Sequence, residues 1–163
     1  MATIKYSTGF RDALLEAGGE SYADILADGV IHLYAGSMPT NADAAAGSTE
    51  LVVITDASGA FTFGSATNGI NFGVATSGVL AQAAGEVWSG VGLSVGTIGW
   101  GRFSANDAGS GTTPTGASTT AKRLDFDVNT SGAALNLGST TTSIGGTVTI
   151  ESPTLTAPAT VTA

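Results

Sequence analysis

The sequence predicts a mainly β protein, an antiparallel β-sandwich or jelly-roll-like domain with a short N-terminal helix. From residue 30 onward, short runs of Val, Ile, Leu and aromatic residues are separated by Gly, Asn, Asp, Ser and Pro, the usual punctuation of turns between strands. Hydrophobic residues reach 42% while charged residues make up only 11%, a balance that favours a packed fold over disorder. The 163 residues suffice for one domain, and with 0 cysteines its core relies on apolar packing rather than disulfides or thiolate metal sites. The expected division is an N-terminal arm with a short helix over residues 1–29, a β-sandwich domain over 30–152 and an extended C-terminal tail over 153–163.

Phe10, Ala13, Leu14 and Ala17 recur at spacings of three and four, which puts them on one face of a helix capped by Ser7 or Thr8 and ended by Gly18-Gly19. Ser21 to Asp24 repeats a cap-like pattern before Ile25 and Leu26, so a further helical turn is expected before Gly29. Val30 to Tyr34 reads as the first strand, and 36–47, with Pro39 and a run of alanines, as a long connection. Leu51 to Ile54 is apolar on both faces and belongs in the middle of a sheet. Asp56 to Gly59 offers a turn into Phe61-Thr62-Phe63, and Ile70, Phe72 and Val74 alternate as a further strand. Val87, Val91, Leu93 and Val95 share one parity and form a row on one face, followed by a strand from Thr97 to Phe103 whose Gly99 and Gly101 admit close neighbours. The stretch 106–120 is low-complexity Gly, Ser and Thr and is expected to be a mobile surface loop. In 123–128 the alternation points Leu124, Phe126 and Val128 inward and the charged residues outward. Leu135 and Leu137 continue the inward pattern, Ile144, Gly146, Val148 and Ile150 share one parity, and the tail from Pro153 is expected to be extended and unpaired.

The net charge is -8, and Lys5, Arg11, Arg102, Lys122 and Arg123 form no long basic run, which argues against direct contact with nucleic acid. No secretory signal and no membrane-spanning run is expected. Gly92-Leu93-Ser94-Val95-Gly96 matches the spacing of a nucleophile elbow, but strand-like residues follow it, and the single histidine, His32, precedes it, so Ser94 reads as an ordinary strand serine on the outward parity. A lone histidine builds neither a triad nor a familiar zinc site, so His32 is expected at the surface or an interface. Asp125 and Asp127 have the spacing of any outward strand face, with ion pairing to Lys122 and Arg123 the expected use. Asp24 and Asp28 read as caps or solvated charges, the Gly-rich 107–116 lacks the end of a phosphate loop, and Asn129-Thr130-Ser131 carries no weight as a glycosylation site. No catalytic residue, metal site or cofactor is expected.

Large aromatics near glycines serve as core anchors or as interface hot spots, and for Trp88 and Trp100 the core is the expected place, with Trp88 the better interface candidate of the two. Trp88 has the parity opposite to Val87, Val91, Leu93 and Val95, so if those face inward it faces outward. The candidate interface residues are Trp88, Trp100, Tyr34, Arg102 and Arg123.

The string from Ile31 to Pro39, then Ala42-Asp43-Ala44-Ala45 and Gly47 to Leu51, resembles a pattern in small virion proteins of tailed bacteriophages, where a strand ending in Tyr-x-Gly leads through a proline-containing loop to an apolar strand. Gly96 to Phe103 and Arg123-Leu124-Asp125 resemble two later motifs of that group, and the matches run in order over roughly residues 8 to 150. The resemblance implies a non-catalytic capsid decoration, or cement, protein on the outer surface of the phage head. It would be a homo-oligomer, taken as a trimer, bound to the major capsid protein. A tail or fibre subunit is the nearest alternative. A carbohydrate- or receptor-binding β module would instead place Trp88, Trp100 or Tyr34 in an exposed groove, and a small hydrolase would be built on Ser94.

Overall fold

The computed structural model describes residues 2–107, 115–151 and 153–156. The chain is mainly β, with a large antiparallel sheet, two short helices and a sandwich-like layering around a main core. In chain order the elements are β1 (Ile4–Tyr6), α1 (Thr8–Leu15), α2 (Tyr22–Ile25), β2 (Val30–Ala35), β3 (Glu50–Asp56), β4 (Val79–Ala81), β5 (Trp88–Val91) and β6 (Gly96–Ser104), then β7 (Arg123–Asn129), β8 (Leu135–Asn136), β9 (Thr141–Thr142), β10 (Thr147–Thr149) and β11 (Thr154–Thr156). The main sheet runs β1-β7-β6-β2-β3-β5-β10, with β8 beside β7 and β9 beside β6. A second, two-stranded sheet joins β4 to β11.

Ser7 shows how local chemistry starts the first helix and ties it to the sheet. Its hydroxyl accepts the amide of Phe10 at 3.1 Å, which satisfies one of the unpaired donors of the first turn. The same oxygen accepts the amide of Arg123 at 2.9 Å and donates to the carbonyl of Ala121 at 2.7 Å. Phe10 and Ala13 face the core, whereas the helix stops at Leu15, short of the expected Ala17. In α2, Ser21 and Asp24 form a capping box, and their hydrogen bonds hold the Asp24 carboxyl below its ordinary range. Tyr6, Phe10 and Tyr22 meet as tilted and edge-on aromatic pairs, which closes this end of the core.

One face of the main sheet is apolar. Ile31, Leu33, Val52, Ile54, Phe103, Leu124, Phe126 and Val128 project from it into a cluster completed by Phe10, Ile25, Leu26, Ile70, Leu137 and Ile150. Trp88 belongs to the same cluster, edge-on to Phe72 and Phe103 with centroids 5.1 and 6.2 Å away, and its indole N–H donates to Glu86 Oε2 at 2.7 Å. Glycine is required at 101, where a Cβ would strike the Phe126 ring, and at 99, where it would strike the backbone of Gly36.

Several expectations change. Residues 61–63 form no strand, and Ile70 and Phe72 make only isolated bridges to Gly29 and Gln82. The N-terminal arm supplies an edge strand, because β1 pairs with β7 in the register Lys5 to Asp125. Thr154 to Thr156 are not unpaired, since β11 ladders with β4, while the rest of the tail, 157–163, lies outside the described residues. Within 106–120, residues 108–114 lie outside the described residues, but 115–120 are tied to the body: Thr115 accepts the amide of Ala46 and Asp43 that of Ser118. Short polar segments of this kind carry no apolar periodicity, so their partners are set by residues far along the chain.

Removing the Ser7 hydroxyl strands the buried amide of Arg123 as well as the helix cap. Ser7→Ala is therefore expected to destabilise the fold by about 2–3 kcal/mol, read as a lower denaturation midpoint at unchanged slope.

Candidate interaction surface

The second face of the main sheet divides into a covered half and an open half. Register places Lys5, Asp125, Arg102, His32, Val53, Val91 and Thr147 in one row across all seven strands, each beside the next. Polar residues occupy the β1 to β2 end of this row and apolar ones the β3 to β5 end.

The polar half is closed. Arg102 donates from Nε to Asp125 Oδ1 at 2.6 Å and from Nη2 to Oδ2 at 2.8 Å, a two-pronged pair with both side chains wholly buried. Tyr34 stacks on Trp100 with centroids 4.4 Å apart, and the Arg102 guanidinium lies 5.5 Å from the Trp100 ring. Two loops seal the cluster. Ala44 O takes a second bond from Arg102 Nη2 at 3.0 Å, Gly116 O accepts from Arg123 Nη1 at 2.7 Å, and Pro39 O accepts from Lys5 Nζ at 2.5 Å. The alanine run explains how closely the first loop lies, since Ala42 and Ala46 are buried beneath it without needing space. His32 sits at the boundary, its Nδ1 2.8 Å from Glu50 Oε2. Burial pushes the Asp125 carboxyl up, an effect that the Arg102 hydrogen bonds and charge oppose. Burial pushes the Arg123 guanidinium down, with the Arg102 charge adding to it. Burial, chiefly, drives the Tyr34 phenol above its ordinary value.

The apolar half is open. A groove of about 640 Å³ runs between Val53, Thr55, Val91 and Leu93 on the sheet side and Phe61 and Phe63 on the other, with His32 at its inner end. Val87, Val91, Leu93 and Val95 are 50%, 46%, 52% and 72% exposed, and Ile144, in the turn before β10, is 74% exposed. No charged residue occurs in 57–85, 87–101 or 128–150, the segments that build this end. The carboxylates at its border are used internally: Glu86 accepts from Asn71 and Trp88, and Asp56 accepts the amide of Val87. The exposed apolar side chains of this end thus stand on segments that carry no charge.

The structure places Trp88 in the core, its expected place, and not at the interface that an inward row of valines would have given it. Val87, Val91, Leu93 and Val95 do share a parity opposite to Trp88, but the indole is inside and the aliphatic row is outside. The larger aromatic surface takes the core, and at Gly90 the lack of a side chain lets β3 pack close, since a Cβ there would strike the Val53 carbonyl. Trp100, Tyr34, Arg102 and Arg123 are buried with Trp88, so none of these candidate interface side chains reaches the protein surface, and the three aromatics line no exposed sugar groove. Asp125 points into the covered cluster rather than outward. It pairs with Arg102, while Lys122 reaches Glu20 at 2.5 Å. His32 is likewise buried. What sequence reading missed is that the 36–48 connection covers a second buried face. The alternation of Arg123, Asp125 and Asp127 with apolar residues looks the same whether a face meets water or a buried countercharge.

The enzyme-like features stand apart. Ser94 lies in a bend between β5 and β6, not at a regular strand position, and leads into strand. Its carbonyl accepts the Thr142 hydroxyl at 2.9 Å. Among the described residues no group of three His, Asp or Glu side chains is placed to hold a metal ion, and no helix is long and apolar enough to cross a membrane. A separate apolar groove of about 580 Å³ lies between α2 and the β4/β11 pair, lined by Tyr6, Tyr22, Phe72, Leu80 and Leu155.

Replacing Arg102 with Met leaves Asp125 buried without its partner, which is expected to destabilise the protein by about 3–5 kcal/mol at neutral pH. The Asp125 carboxyl already titrates above its ordinary 3.8, and losing the guanidinium raises it further. A raised carboxyl lends stability below the unfolded value and loses it as pH rises. The Arg102→Met deficit should therefore shrink as pH falls toward that value, and Arg102→Met/Asp125→Leu should recover most of it at neutral pH, both read by denaturant melts.

In comparisons with known proteins, no family model, curated protein or solved structure matches this chain.

Proposed function

We propose that this protein is a non-catalytic structural subunit that works by packing against other chains in a larger assembly. The observation that carries this reading is the uncharged end of the sheet, where Val91, Leu93, Val95 and Ile144 stand in water on a molecule whose charges lie elsewhere. A monomer gains nothing from exposing these side chains, whereas burying them between chains releases about 25 cal/mol for each square ångström of apolar surface. The internal use of the polar groups supports the same reading. Arg102 and Asp125 neutralise each other, and the adjoining donors are spent on loop carbonyls rather than held ready for a substrate.

The assembly we propose is the particle of a tailed bacteriophage, with the chain as a decoration subunit on the outer head and the major capsid protein as its partner. Support for this finer reading is the ordered set of motifs from Ile31 to Asp125 together with the acidic net charge, which suits a protein that does not touch packaged DNA. A summed contribution from many copies is how such a subunit stabilises a lattice through contacts that are individually weak.

Co-sedimentation with DNA-free capsids tests the reading. The wild-type chain is expected to pellet with capsids in saturable amounts, and Val91→Asp/Leu93→Asp is expected to reduce binding at least tenfold while its melting temperature stays within a few degrees. Wild-type protein that remains in the supernatant at every concentration rules the capsid role out.

A further inference from the structure

We propose that β10 joins a second copy of this chain, edge to edge and antiparallel, about a two-fold axis at Val148. The proposal deepens the assembly reading and rests on it for the larger complex, but the pairing itself stands on the geometry of one strand.

β10 is the last strand of the main sheet beyond β5. Its register pairs Thr147 with Val91, Val148 with Gly90 and Thr149 with Ser89. The flanking bonds, Ile150 N–H to Trp88 O at 2.9 Å and Gly92 N–H to Gly146 O at 2.8 Å, fix which residues bond inward. In an antiparallel ladder bonded pairs alternate, so Val148 faces β5 with its amide and carbonyl, and Thr147 and Thr149 turn theirs outward. Among the described residues none bonds to those outward groups.

A two-fold axis at Val148 sets Thr147 of each copy opposite Thr149 of the other. Those pairs are the ones whose backbone groups point across the edge, so every outward donor meets an acceptor. Val148 meets its own copy in the close, non-bonded position.

The electrostatics select this edge over the other. Two copies each carrying -8 repel unless the surfaces that meet are uncharged, and β10 lies within the charge-free stretch 128–150. The nearest charge, Glu151, stands three residues from the axis on each copy. At about 3.3 Å per residue the two carboxylates are roughly 20 Å apart, beyond the screening length of about 8 Å in physiological salt. At the opposite edge, the same operation on β1 places Lys5 against Lys5, a like-charge pair that guards the strand. β10 carries no Lys, Pro or inward charge to prevent pairing.

The cysteine-free chain makes the register directly testable. Val148→Cys, mildly oxidised as full-length protein, is expected to form a covalent dimer at least tenfold faster than Leu15→Cys, a control at an 83% exposed site on α1. The non-bonded antiparallel position brings the α-carbons within disulfide range. Sedimentation equilibrium is expected to show reversible growth to twice the monomer mass. Thr149→Pro, which removes an outward amide and no bond to β5, should stay monomeric with a melting temperature within a few degrees of wild type. Val148→Cys that oxidises no faster than Leu15→Cys overturns the pairing, as does a trimer mass that Thr149→Pro leaves unchanged. A Val148→Cys dimer that never pellets with capsids supports the pairing while ending the capsid role.

Discussion

The buried pair of Arg102 and Asp125 is the interaction on which the rest of the structure depends. An unpaired charge at that depth is prohibitive, so the strands that carry the two residues must lie side by side in a single register. Once they do, Phe103 and Leu124 fall on the opposite face, and Trp100 comes opposite Asp127. The guanidinium still has donors to satisfy, and Ala44 O meets one of them, which draws the long connection after β2 down onto the sheet. Arg123 and Lys5 repeat the device with Gly116 and Pro39. Segments with almost no apolar surface are thereby held by hydrogen bonds from two buried guanidiniums and a half-buried ammonium.

The same sheet face changes character along a single cross-strand row. At one end charges are consumed under loops, and at the other Val53 and Val91 lie beside an open groove. This asymmetry separates the groups that hold the fold together from the apolar surface left open. The Arg102 side is closed. The β5 to β10 side has no charge to orient a partner by long-range attraction, so in the assembly we propose recognition there rests on shape, apolar burial and backbone pairing.

Much of the architecture was legible in the residues. The apolar run of β3, the glycines opposite Ile98 and Trp100, the Ser7 cap and the Ser21 to Asp24 capping box are local signals, and each forms as its own chemistry dictates. Phe61 to Phe63 and Ile70 to Val74 show where alternation misleads. Their pattern suits strands, but 61–63 settle as a connection, and 70–74 make only isolated bridges and single backbone bonds, to Gly29 and to the β4 region, rather than a regular ladder. β1, β4 and β11 are three residues each, too short to show a period, and exist because a partner edge is available.

The sequence by itself determined a β-rich, charge-poor chain and the parity of its strands, because a two-residue repeat is a property of the backbone. It also determined that Trp88 and the row of Val91 and Leu93 lie on opposite faces. Which of the two was inside was decided only by tertiary structure, because the answer depends on how much apolar area Phe72 and Phe103 offer the indole from distant parts of the chain. The sign of Asp125 was decided in the same way. A carboxylate on a strand faces water unless a cation arrives to meet it, and the one that does lies 23 residues away.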